Sequence, residues 1–135
     1  MRRFLLDTGI AGDCINRRRG VYERARHEVT RGNRVGIGIP VLAELVYGIE
    51  QSTSRDRNMQ RLRTTLPAWK VWPFDDKAAF EYGRLAAELK RIGRPMQQVD
   101  IMIAAITFSL GNCSVVTADT DLAAVPGLTV ENWAI

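Results

Sequence analysis

Four carboxylates stand where an α/β chain can bring them together: Asp7, Glu44, Asp100 and Asp119. Asp7 ends a short apolar run, and Asp119 follows another in Val-Val-Thr-Ala-Asp. Asp100 opens an apolar segment that runs to Leu110, and Glu44 lies in the first turns of a segment with helical apolar spacing. Clustered carboxylates repel one another unless a divalent cation lies among them. Hard oxygen ligands favour magnesium or manganese over zinc. The chemistry such a site serves is in-line attack on a phosphodiester. Competing chemistries are poorly supplied. The single histidine, His27, sits among charged residues and reads as a solvated helix position, and neither Cys14 nor Cys113 has a ligand-spaced neighbour.

Each acid also has a structural role open to it. Asp7 can cap the helix after its strand, Asp100 can be an N-cap or first-turn acid, Asp119 an Asx-turn residue, and Glu44 an arginine partner. The functional reading therefore rests on convergence, which depends on the elements. Apolar periodicity predicts strands at 3–6, 34–39, 69–72 and 114–117, with a short one at 128–130. It predicts helices at 10–18, 21–31, 41–50, 55–66, 76–91 and 100–110. Strands alternate with helices, so the expected architecture is one α/β domain over 1–135, a parallel sheet with helices on both faces. In such sheets ligands gather beyond the carboxyl ends of the strands. Asp7, Asp119 and the helix starts carrying Asp100 and Glu44 all belong to that edge. Trp69 and Trp72 flank a strand and are expected in the core or an interface.

The net charge is +4, and sixteen of the 19 basic residues are arginine. Arginine grips phosphate with a planar fork of donors, which suits nucleic acid. Arg17, Arg18 and Arg19, and Arg55, Arg57, Arg61 and Arg63, are candidate phosphate contacts, with a plain solvated face as the alternative. Arg57 and Arg61 share a helix face. No apolar run approaches the roughly 20 residues that cross a bilayer, and Met-Arg-Arg-Phe-Leu-Leu-Asp does not resemble a signal peptide. The expected location is cytoplasmic.

Three stretches, "FLLDTGI", "IPVLAELVYGI" and "VDIMIAAITFSLGNCSVVTADTDLAAVPGLTVENW", together resemble the PIN domain family, and within it the VapC-type toxins of toxin–antitoxin pairs. The resemblance covers essentially the whole chain. It implies a PIN-like three-layer α/β/α sandwich with a mostly parallel central sheet. It implies a magnesium-dependent endoribonuclease, with manganese able to substitute, in which Asp7, Glu44 and Asp100 are catalytic metal ligands. Asp119 matches the fourth acidic position, and Asp121 is close enough to substitute or assist. A homodimer, a cognate VapB-type antitoxin that blocks the toxin, and promoter DNA bound only through that antitoxin are also implied.

Two positions depart from the family pattern. Gly9 stands where Asn or Ser is frequent, and "TADTDLAAVPGL" is one residue shorter than the usual loop. The Thr117 hydroxyl is a candidate hydrogen-bond donor to a carboxylate or phosphate. Rival assignments fit less well. An acid-nucleophile phosphatase needs a second Asp at position 9, and a receiver domain needs adjacent early acids and a late lysine, whereas the last lysine is Lys90. A PIN-like module that binds RNA or a partner without cutting is the alternative from a different class.

Overall fold

Phe4, Leu5 and Leu6 are fully buried, as a strand covered on both faces must be. In the computed structural model, which describes residues 1–135, they belong to β1 (Arg3–Leu6) at the centre of a five-stranded sheet. The other strands are β2 (Arg34–Gly38), β3 (Lys70–Trp72), β4 (Cys113–Val116) and β5 (Val130–Glu131). The order is β3-β2-β1-β4-β5, and all four pairings are parallel. The helices are α1 (Thr8–Ile15), α2 (Val21–Thr30), α3 (Ile39–Glu50), α4 (Arg55–Thr65), α5 (Asp76–Arg91), α6 (Gln98–Leu110) and α7 (Thr120–Ala123).

The path from β1 through β2 to β3 crosses the sheet in one direction, and β4 returns to the far side of β1. Right-handed crossovers then put α1–α4 and α5–α6 on opposite faces, giving the expected three-layer α/β/α sandwich. The reversal between β1 and β4 is also a topological switch point, where such sheets open a crevice at their carboxyl edge. Two glycines hold this arrangement tight. A Cβ on Gly36 would meet the Lys70 carbonyl oxygen at 2.0 Å, and one on Gly38 would meet Ile106 Cδ1 at 2.6 Å. The first lets β2 and β3 pair closely; the second lets α6 pack against the end of β2.

Several expectations shift in detail. Helix α1 stops at Ile15, and Arg17 and Arg19 adopt positive φ of 55° and 59° in a tight turn, so the three arginines are not helical. Helix α6 begins two residues before Asp100, which is therefore a first-turn acid and not the cap. Pro67 closes α4 in a 3-10 turn, Leu66–Ala68. The four-residue α7 was not foreseen. In α2 the buried stripe is Val21, Ala25 and Glu28, whereas the apolar Val29 is half exposed. Glu28 is tolerated inside because Asn33 Nδ2 and Arg24 Nε each donate to it at 2.9 Å. Trp69 and Trp72 are core residues, His27 is exposed, and both cysteines are free. No helix is long and apolar enough to cross a membrane.

Candidate active site

Register along β1 and β4 builds the first part of the site. Leu6 pairs with Val116, so the next residues, Asp7 and Thr117, leave the sheet side by side. The Asp7 amide donates to the Val116 carbonyl at 3.0 Å. Asp7 then caps α1, its Oδ1 accepting from the Ile10 amide at 2.8 Å, while the Thr117 hydroxyl donates to Oδ2. The cap role and the site role coexist, because the carboxylate has lone pairs beyond those two bonds. Thr117 Oγ1 also accepts from the Asp119 amide at 2.9 Å. One buried hydroxyl thus couples Asp7 to the loop bearing Asp119.

The remaining acids come from helix starts. Pro40 in the first turn of α3 supplies a ready-made helical φ, and Glu44 follows one turn on. Its Oε1 accepts from Thr8 Oγ1 at 2.5 Å. Asp100 in the first turn of α6 faces the same opening. Asp7, Glu44, Asp100 and Asp119 all line one cleft of about 450 Å³. None of the four forms an ion pair with Lys or Arg. Asp121 lies outside that lining, yet carboxylate oxygens of Asp100, Asp119 and Asp121 lie within 4.8 Å of one another.

The electrostatics record the crowding. Burial pushes the Asp100 carboxyl up to about 6, and the charges of Asp119, Asp7, Asp121 and Glu44 push the same way. Burial also raises Asp7, helped by Asp119 and Asp13 and opposed by the hydrogen bonds from Thr117 and Ile10. This is a cleft of like charges held together by the fold; its one basic residue, Arg19, pairs with Asp13 and with none of the four acids. Its all-oxygen donor set, with no His or Cys, fits a hard divalent cation.

One acid of the cleft escaped the sequence reading. Asp13 lines it from α1, one helical turn after Gly9 on the same face. The i, i+4 spacing from Gly9 was the available signal. Arg19 reaches the same cleft and lies 3.7 Å from Asp13. Gly9 itself leaves room: a Cβ there would lie 3.8 Å from Asp7 Oδ1.

Comparison with known proteins adds ancestry to geometry. The PIN domain family model matches residues 4–128. The chain is 33% identical over 134 residues to the tRNA(fMet)-specific endonuclease VapC of Shigella flexneri, covering 99% of this chain and 100% of that one. Among solved structures, VapBC2 from Rickettsia felis bound to a DNA fragment from their promoter superposes with a TM-score of 0.90 at 29% identity, covering 97% of this chain and 98% of that one. DNA-bound VapBC from Salmonella typhimurium gives 0.89 at 32% identity, covering 99% and 100%.

Proposed function

The chain belongs to the PIN domain family, in its VapC branch, and on that premise we propose that it is the endoribonuclease toxin of a toxin–antitoxin pair. The observation that carries the reading is the cleft of unpaired carboxylates at the switch point, which calls for a cation and suits phosphodiester hydrolysis. Residues 1–135 form one nuclease unit in this reading. It acts on RNA in the cytoplasm as a homodimer. A VapB-type antitoxin blocks it and carries it to promoter DNA. Whole-length likeness to VapC chains, two of them solved in VapBC assemblies with DNA, supports these partners.

Asp7, Glu44, Asp100 and Asp119 would hold magnesium, or manganese in its place, with Asp121 beside the last two. When bound, the ion supplies positive charge against phosphodiester oxygens and eases deprotonation of water at neutral pH. The chain's own residues prepare for this. Thr117 and the Ile10 amide fix both oxygens of Asp7, and Thr8 fixes Glu44. Burial keeps bulk water from screening Asp7. Asp100, without a hydrogen bond of its own, is the carboxylate most relieved by a counter-charge. Arg19 also lines the cleft, where Asp13 balances its charge.

The test is cleavage of single-stranded RNA with and without chelator. Cutting should require magnesium or manganese and fall by at least about 100-fold in Asp7→Asn and in Asp100→Asn, with circular dichroism unchanged. Equal cleavage by those variants would sink the mechanism. RNA binding without any cleavage in the presence of metal would favour the non-cutting module instead. Asp119→Asn and Asp121→Asn, measured side by side, assign the fourth acid: the larger loss is expected for Asp119.

A further inference from the structure

Three depressions lie end to end on one side of α1. The carboxylate cleft shares Thr8 and Glu44 with a groove between α1 and α3. That groove shares Ile15 and Asn16 with a polar hollow between the end of α1 and α4, where Arg17 and Arg61 stand. From Thr8 to Asn16 the path follows about 12 Å of helix. Gly12 and Gly48 border the middle groove, and nothing lies within 4 Å of a Cβ at either position. Both are helical without positive φ, so the backbone does not demand glycine there.

Of the arginines expected to contact phosphate, Arg18, Arg19 and Arg55 are ion-paired while Arg17, Arg57, Arg61 and Arg63 are not, and of these four only Arg17 and Arg61 line the hollow. Arg18 and Arg19 lie within 4 Å of Asp13, and Arg55 is clamped by Glu50 at 2.6 Å and Asp56 at 3.0 Å. Arg17 and Arg61 form no ion pair and are instead held by neutral acceptors. Arg61 Nη1 donates to Asn16 Oδ1 at 3.1 Å, and Asn16 Nδ2 in turn donates to the Gly12 carbonyl at 3.0 Å. Arg17 Nη1 donates to the Cys14 carbonyl at 3.1 Å, with its guanidinium 3.4 Å from the Tyr22 ring centroid. Two guanidinium groups are thus oriented with their charge uncompensated, at the far end of a track that starts at the acids.

We propose that this track carries the substrate strand, with the scissile phosphate at the carboxylates and a phosphate a few nucleotides away held by Arg61 and Arg17. The assignment rests on the reading of the cleft as an RNA-cutting site. Asn16 is a positioning residue: it aims Arg61 without neutralising it. A carboxylate in its place would strengthen a purely structural contact with Arg61 and spoil a phosphate site.

The discriminating measurement is fluorescence anisotropy of a labelled single-stranded oligoribonucleotide in chelator, with salt titration. Arg61→Gln and Asn16→Asp should each weaken binding about five- to tenfold. Each should flatten the slope of log K against log salt by about 0.7, the value of one lost phosphate contact on a single strand. Gly48→Leu, which fills the groove, should weaken binding while thermal melting is retained. Arg91→Gln, removing the same charge from the end of α5, should bind as the parent does. Undiminished affinity and slope in Asn16→Asp and Arg61→Gln overturn the track. So does a loss confined to binding of an antitoxin protein, which would make the surface a protein groove. If the parent never cuts RNA but the binding losses hold, the catalytic reading fails and the track stands.

Discussion

At the scale of single residues, Thr117 is the most informative side chain. It touches no solvent to speak of, yet it orders two of the acids at once, donating to Asp7 and accepting from the Asp119 amide. Thr117→Val keeps shape and removes both bonds. The expected result is a 10- to 100-fold loss of metal affinity, about the usual effect of losing an outer-shell partner, readable by isothermal titration with manganese. Gly9→Ser should go the other way. It removes a helical glycine and puts a hydroxyl beside Asp7, so stability should rise by about 0.5 kcal/mol in urea unfolding, without loss of cleavage. The four acids were legible because each sits at a strand end or helix start, where the chain's own punctuation marks the position. Asp13 was not, because an acid inside a helix reads as surface until a neighbouring helix is placed beside it.

At the scale of elements, the strands and long helices followed from apolar periodicity, and the exceptions have physical causes. Helix α7 has four residues, too few for a 3.6-residue period to show, and is held by the Asp119 cap to the Asp121 amide at 2.9 Å. Helix α2 hides its register because a carboxylate occupies a core position. Glu28, with Val21 and Ala25, completes an i, i+4, i+7 stripe that hydropathy alone assigns to solvent. The crossover geometry also left no mark on the sequence at Gly36, where only the missing Cβ allows β2 to meet Lys70. Gly36→Ala should destabilise the fold by about 3 kcal/mol, the upper end of ordinary overpacking. Chemical denaturation would show this as a lower midpoint with an unchanged slope.

At the scale of the whole molecule, stability and metal binding are linked through pH. Asp100 has a folded-state pKa of about 6, above its ordinary 3.8, and Asp7 is raised as well. These groups bind protons more tightly folded than unfolded. Their contribution is therefore most favourable at low pH and is lost as pH rises through about 6. Glu28 and Glu131 are shifted down by their arginine and hydrogen-bond partners, so their contribution is lost only on further acidification. In chelator, the melting temperature should accordingly rise as pH falls from neutral toward 5. Magnesium should stabilise the protein more at neutral pH than at pH 5, because ligands must be deprotonated to bind it. A metal-free melting temperature that falls steadily over that range would contradict the crowded-carboxylate picture.

The place of β1 in the sheet has a further consequence for biosynthesis. This central strand is translated before every other, and one neighbour, β2, follows within a few dozen residues. The other is β4, whose register sets Asp7 beside Thr117, a separation of 110 residues. Pairings of such long range form late, since loop closure must precede them. A ribosome-bound chain that has emerged only as far as α6 carries Asp7, Glu44 and Asp100 without the strand that aligns them. The cleft therefore assembles only once β4 and the Asp119 loop have been made. A cell building this protein is shielded from the finished cleft for most of each round of translation.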